Sequence, residues 1–400
     1  MNNINNIIVR FFLIICFIPI IISCSDKDKD FEYDPIYLES YQEVYSLSRE
    51  NVVSQFTEAG LFPPEYSWLV RYGVKAYRIE YNTISPLGEP TLASGALIIP
   101  DNTYHFPLLS IQHGTITHEN SAPSNFNSDF NDFANIFASM GYIIILPDYI
   151  GYGASSDIMH PYEHRESLAT TCRDMIRAIY EYFEVKNDSR KSSNLFLTGY
   201  SEGGFATMAT FQLMQEQHSD EFSITAVTVG AGAYNKTNFV EWIVTAYEPM
   251  LYINSYVWVL DVYNSIYSQL QRPLNFYFNE PWATNIATNG VFVEIESNPS
   301  ILFRSEFIEG IIKGTDTDFL TAVEDNNCYS WIPHSPLKLY HGNNDKYVPY
   351  FNSSDAYEAM IDLGASNVEL VTIENGTHET AFIDYLMGTF YFFQSFNVVH

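Results

Sequence analysis

The run Tyr142-Ile143-Ile144-Ile145-Leu146 shows neither a charge nor any alternation of polar and apolar residues. A strand with one wet face alternates, so a short, continuously apolar strand must be covered on both faces, as in the interior of a parallel sheet. Leu195-Phe196-Leu197 and residues 224–229 repeat that character. Between these runs, Leu168, Cys172, Met175, Ile176, Ile179 and Phe183 fall on one helical face, and residues 203–216 are apolar and small. Strand, helix, strand and helix in succession make the chain α/β, with a mostly parallel sheet flanked by helices. Upstream, residues 36–58 read as an amphipathic helical pre-segment, and residues 74–81 alternate like an edge strand, with further strands at 93–99 and 106–111.

From 236 to 327 the alternation stops. A helical, aromatic stretch takes its place, with Trp242, Tyr252, Tyr256, Trp258, Tyr263, Tyr267 and Trp282. The four tyrosines fall on a helical stripe, which reads as packing, while the insertion as a whole is placed to cover a pocket. The α/β pattern resumes with Leu337-Lys338-Leu339-Tyr340, a helix near 352–363, a strand at 368–372 and a C-terminal helix. Neither a repeat nor a linker divides residues 36–400, so 36–235 and 328–400 read as one core interrupted by the insertion 236–327.

The N-terminus reads as an address. Residues 1–23 carry Arg10 as their one charge, then an apolar run at 11–22 too short to span a bilayer comfortably, then Ser23. Ile21-Ile22-Ser23-Cys24 resembles the lipobox of bacterial lipoproteins. That resemblance implies removal of the signal peptide, acylation of Cys24, a charged tether at 24–35 and an extracytoplasmic lipoprotein of the bacterial outer membrane or cell surface. With 19 Lys plus Arg against 48 Asp plus Glu, the net charge of -29 repels phosphate backbones and excludes nucleic-acid binding. Cys172 and Cys328 also remain in the mature chain; a bridge between them is allowed outside the cytoplasm, and their spacing does not decide it.

Gly199-Tyr200-Ser201-Glu202-Gly203 matches G-x-S-x-G and stands between an apolar run and a helical segment. So sharp a strand-to-helix turn leaves no room for Cβ atoms at Gly199 and Gly203, and it projects the serine on a strained backbone. Ser201 is the candidate nucleophile. A serine hydroxyl needs an imidazole to take its proton, and the imidazole needs a carboxylate to fix its tautomer. Asp345 lies in the Gly/Asn-rich loop after the strand at 337–340, and His378 in the loop after the strand at 368–372, so the chain order is Ser, Asp, His. Asp345 could instead cap the following helix, with Asp355, Glu324 and Asp325 as rivals, and Ser201 could be an ordinary turn serine. His160-Pro161-Tyr162-Glu163-His164 reads literally as a zinc-peptidase signature, but Pro161 fits only a first helical turn and keeps the two histidines off one interior face, so no metal is expected.

On these residues the chain resembles the α/β-hydrolase superfamily, and more closely its secretory-lipase-like branch, over about 36–400. The elements that carry it are the elbow at 199–203, His113-Gly114-Thr115, Pro147-Asp148-Tyr149 with Gly151 and Gly153, His341-Gly342 with Asp345 and Pro349, and His378. The resemblance implies a helical lid between the sixth and seventh strands, a Ser201, Asp345, His378 triad, and no cofactor. It implies an oxyanion hole in which the amides of Glu202 and Thr115 stabilise the charge of a tetrahedral intermediate. Glu202 stands where relatives often have Gln; it either adds a negative charge beside the nucleophile or is paired. The expected activity is hydrolysis of carboxylic esters, esterase- or lipase-like, on a small-molecule, lipid or acylated-glycan substrate. A peptidase of the same superfamily and a catalytically inactive binding lipoprotein are the alternatives.

Overall fold

Residues 35–59 and 64–396 are described by a computed structural model of the chain. The signal segment, Cys24 and all but the last residue of the tether lie outside the described residues. In chain order the strands are β1 (Leu38–Leu47), β2 (Val74–Ile84), β3 (Pro90–Pro100), β4 (Phe106–Gln112), β5 (Ile143–Pro147), β6 (Lys191–Tyr200), β7 (Ile224–Gly230), β8 (Leu337–Gly342) and β9 (Val368–Ile373). The core helices are α1 (Arg49–Ala59), α2 (Asp129–Ser139), α3 (Arg165–Val185) and α4 (Glu202–Gln217). After β7 come α5 (Lys236–Val244), α6 (Ile253–Ile266), α7 (Trp282–Asn289), α8 (Pro299–Leu302), α9 (Ser305–Ile312) and α10 (Thr317–Asp325). The core then returns with α11 (Phe351–Asp362) and α12 (Ala381–Gln394).

Among the described residues the nine strands form one sheet in the order β1-β2-β3-β5-β4-β6-β7-β8-β9. β4 to β9 run parallel, and β1, β2 and β3 join antiparallel at one side. The apolar run at 143–146 alternates between two covered faces. Ile143 and Ile145 pack with Leu168, Met175 and Ile179 of α3, whereas Ile144 and Leu146 pack with Phe133 and Phe137 of α2 and Phe390 of α12. Each such buried side chain contributes about 1.5–3 kcal/mol, so a polar residue at any of these positions would be costly. Helices α5 to α10 occupy the insertion between β7 and β8 and build an apolar cluster around Phe239, Val257, Tyr263, Phe307 and Phe319. Cys172 and Cys328 are buried free thiols, and burial pushes each up to about 12.

Two N-terminal expectations need correction. Residues 36–58 are not one helical pre-segment: residues 38–47 form β1, and the helix begins at Arg49. Consequently 74–81 is not at the sheet edge, because β1 pairs with it antiparallel. The insertion therefore follows the seventh strand of the sheet rather than the sixth. The cause is legible in the register, which shifts between Leu38 and Ser40 and again between Glu43 and Tyr45. Bulges break the two-residue alternation by which a strand is recognised, and the spacing that remains imitates a helical period.

One side chain takes three amides at the start of β1. Glu181 of α3 accepts the amides of Ile36, Tyr37 and Leu38 at 3.0, 2.7 and 2.7 Å. An amide group in its place would turn a donor toward donors. Glu181→Gln is expected to lower the urea-unfolding free energy by about 1–3 kcal/mol and to speed proteolysis within residues 36–47. An unchanged midpoint and cleavage rate would mean that strand pairing alone anchors this edge.

Candidate active site

β6 ends at Tyr200 and α4 begins at Glu202, so Ser201 alone makes the turn, with φ 60 and ψ -125. A residue with a side chain is strained there, and close packing on both sides holds it. A Cβ added to Gly199 would lie 2.2 Å from the Gly203 carbonyl oxygen, and one added to Gly203 would lie 2.1 Å from the Gln112 carbonyl oxygen. Both elbow glycines are thus dictated by backbone contacts.

The loops after β8 and β9 reach the same sheet edge. His378 Nε2 lies 2.8 Å from Ser201 Oγ, and its Nδ1 lies 2.7 Å from Asp345 Oδ2. The structure therefore brings together three residues separated by up to 177 positions. Asp345 Oδ1 accepts the amides of Tyr347 and Val348 at 2.8 and 2.9 Å, and Oδ2 also lies 3.3 Å from His341 Nε2. Burial alone would raise the Asp345 carboxyl, but the hydrogen bonds from His341 and His378 hold it well below the usual carboxylate range. The rivals are occupied elsewhere. Asp355 accepts from the Asn235 and Asn238 side chains, Asp325 from Tyr267, and Glu324 lies at the end of α10.

Glu202 follows Ser201 directly, and Thr115 lines the same cleft as Ser201. A Cβ on Gly114 would be 3.3 Å from the Tyr200 carbonyl oxygen and 3.8 Å from Ser201 Cβ, so the loop after β4 passes directly over the elbow. Thr115 Oγ1 is tied to Tyr162 Oη at 2.9 Å. Glu202 opens α4, where first-turn amides lack intrahelical partners. Its side chain is buried, with Oε1 2.8 Å from His160 Nε2. His160 and His164 do not share a helix: α3 starts at Arg165, and the His164 ring turns to Ser167. Asp148 accepts from Ser94 and Ser124, and Gly153 leaves room for it, since a Cβ there would meet Asp148 Oδ2 at 2.2 Å.

Several residues at the site carried no sequence signal of their role. Tyr200 donates to the His378 carbonyl oxygen at 2.7 Å, and the Tyr347 ring lies 4.9 Å from the His378 ring. Tyr252 stacks on Tyr347 at 3.8 Å and donates to Glu379. Glu163 and Lys236 form a buried ion pair in the wall of an otherwise apolar pocket that also reaches Ser201. Burial raises the Glu163 carboxyl, and the Lys236 ammonium opposes that rise. Each contact joins residues remote in sequence, so only the placement of a phenol or carboxylate beside a motif could have suggested it.

The family model for secretory lipases matches residues 133–385. No curated protein matches the chain. Among solved structures, a presumed hydrolase from Legionella pneumophila is 27% identical, with 91% of this chain and 99% of that one covered and a TM-score of 0.79. The rice cell wall degrading esterase LipA from Xanthomonas oryzae is 24% identical, with 88% and 94% covered and a TM-score of 0.75. Candida antarctica lipase A is 14% identical, with 90% and 82% covered and a TM-score of 0.65; these last two likenesses show the fold. The elbow, the parallel sheet and the family match lead to one conclusion: the chain belongs to the secretory lipase family and is an ester hydrolase of the α/β-hydrolase fold.

Proposed function

We propose that the chain hydrolyses carboxylic esters through a covalent acyl-enzyme on Ser201, with His378 as general base and acid and Asp345 as its carboxylate partner. The observation that carries this reading is the continuous relay of hydrogen bonds, 2.8 Å from Ser201 to His378 and 2.7 Å from His378 to Asp345. Nδ1–H donates to the carboxylate, which leaves the Nε2 lone pair to receive the serine proton. As Ser201 Oγ bonds to the acyl carbon, the proton moves to Nε2 and the carbonyl oxygen gains charge beside the amides of Glu202 and Thr115. The imidazolium then protonates the leaving alcohol as the old C–O bond breaks. Water repeats both steps and releases the acid.

Stereochemistry assigns the two arms of the ester. The alcohol must leave on the side of His378, which borders two clefts, one with Trp242, Met250 and Lys346, the other with Phe130, Phe133 and Phe382. The acyl arm then lies in the pocket that touches Ser201 without His378, walled by Phe239, Ile243, Leu260, Phe303 and Phe307 of the insertion. In this role the insertion acts as a lid over the acyl group. Ser201→Ala is expected to abolish fluorophosphonate labelling and turnover of p-nitrophenyl esters. Asp345→Asn should lower kcat by about 10⁴-fold, because the wrong tautomer then faces the serine. Faster cleavage of aminoacyl nitroanilides than of any ester would favour a peptidase, and turnover by Ser201→Ala would overturn the mechanism.

We also propose that Cys24 is acylated and that the protein is a bacterial lipoprotein held outside the cytoplasm. The apolar run at 11–22 followed by Ile21-Ile22-Ser23-Cys24 supports this, as does the charged segment after it. Labelled palmitate is expected to enter the wild-type protein and not Cys24→Ala. An unlabelled wild type would remove the anchor.

A further inference from the structure

His160 precedes α3 in a closed aromatic cage: Tyr149, Tyr152, Tyr162 and Trp258 surround its ring, with centroids 6.0, 4.8, 6.1 and 5.5 Å away. Its Nδ1 is 2.7 Å from the Ile150 carbonyl oxygen. A carbonyl only accepts, so Nδ1 carries a hydrogen. The other nitrogen, Nε2, is 2.8 Å from Glu202 Oε1, and the two side chains are 4% and 1% exposed. Without a proton between them, two lone pairs would face each other in a site closed to water. The pair is therefore either imidazolium with carboxylate or imidazole with carboxylic acid, and both forms have zero net charge. Glu202 Oε2 has no partner among the described residues, so nothing else compensates a bare carboxylate.

We propose that Glu202 and His160 hold this one proton as a unit, a positioning pair that keeps the charge behind the oxyanion at zero and whose deprotonation sets an alkaline limit to ester turnover. The inference rests on the reading of Ser201 as nucleophile and of the Glu202 amide as an oxyanion donor. A deprotonated pair would put a full negative charge on the residue whose amide must stabilise a developing one, slowing turnover by on the order of tenfold to a hundredfold.

The groups that face the pair leave it as the element to titrate. From the loop after β5 come Asp148, Tyr149 and Tyr152, and from the segment before α3 come Tyr162 and Glu163. His113 follows β4, Cys172 lies on α3, and Tyr347 and His378 stand on the β8 and β9 loops. Burial raises the phenols of Tyr149, Tyr152, Tyr162 and Tyr347 and pushes the Cys172 thiol up to about 12, so these groups remain neutral. Burial lowers His113, which leaves it uncharged. Asp148 is held by Ser94 and Ser124, and Glu163 by Lys236. No cation other than the shared proton reaches Glu202 among these groups.

Glu202→Gln tests this. A Gln amide would donate to the Nε2 lone pair of a neutral His160 and leave no proton to lose. kcat is measured from about pH 5 to about pH 10 on the p-nitrophenyl ester turned over fastest, corrected for spontaneous hydrolysis. The wild type should lose on the order of tenfold or more of its plateau rate at the alkaline end, while Glu202→Gln loses less than about twofold. Any loss of rate at the acid end should be the same in both. An alkaline limb in Glu202→Gln equal to that of the wild type would overturn the proposal. If that variant does not fold, ¹⁵N-histidine spectra of the wild type decide: the Nε2 signal of His160 must change with the midpoint of the alkaline limb, and any other midpoint overturns the proposal. Ser201→Ala separates the two readings, since turnover by that variant refutes the nucleophile and not the proton pair.

Discussion

The site depends on how closely the backbone of the elbow approaches its neighbours. Gly203 lies against the carbonyl oxygen of Gln112 at the end of β4, and Gly199 lies against Gly203 itself. These contacts bind the end of β4, the turn and the start of α4 into one unit, and Ser201 holds φ 60 because no part of that unit can relax alone. The strain is offset by the covered parallel strands beneath, whose residues are buried on both faces. A serine fixed in this way sets where its hydrogen-bond partners must be. The loops after β8 and β9 meet it because parallel strands release their loops at the same edge.

Charge imposes a second constraint. The chain has 48 carboxylates against 19 Lys plus Arg, and most of the buried acids among the described residues do without a cation. A few buried acids do take one, as Asp174 does from Arg173 and Arg177, and Glu163 from Lys236. The others use neutral donors. Glu181 takes three amides, Asp148 takes two serine hydroxyls or amides, and Asp345 takes two amides and two imidazoles. The effect is largest at Asp345. The hydrogen bonds from His341 and His378 outweigh its burial and keep its carboxylate ionised far into acid, so its folded form is stabilised above the ordinary carboxylate range and that stability is lost only as pH falls through its depressed value.

Much of this was legible from sequence for definable reasons. Continuous apolar runs mark strands covered on both faces, and the G-x-S-x-G turn needs its glycines for steric reasons, so the sheet interior and Ser201 could be read directly. Asp345 and His378 were readable because a Gly/Asn-rich loop and a lone histidine each follow a strand. β1 was not, since its two register shifts erase the alternation and most of its face is exposed. The partners of Glu202, Asp345 and His378 were illegible for another reason. His160, His341 and Tyr200 meet them through tertiary packing, and neither composition nor period encodes which imidazole will point at which carboxylate.

The insertion is not an independent cap. Tyr256 of α6 donates to the Tyr347 carbonyl oxygen at 2.7 Å, the Tyr347 hydroxyl meets Ser255 at 2.6 Å, and Tyr252 reaches Glu379, the neighbour of His378, at 2.6 Å. Tyr347 is itself two residues from Asp345, to which its amide donates. Swinging α6 away would break these three bonds, each worth about 0.5–1.5 kcal/mol, and would also separate the stacked rings of Tyr252 and Tyr347. It would release both loops that carry the partners of Ser201. Access to the apolar pocket beside Ser201 is therefore cheapest by movements that leave α6 docked. Residues of α5 and α9, Ile243 and Phe307 among them, line the same pocket, and neither helix makes these bonds to the acid and histidine loops. This wall of the pocket can move or vary in side-chain size while the hydrogen bonds among Ser201, His378 and Asp345 stay in place.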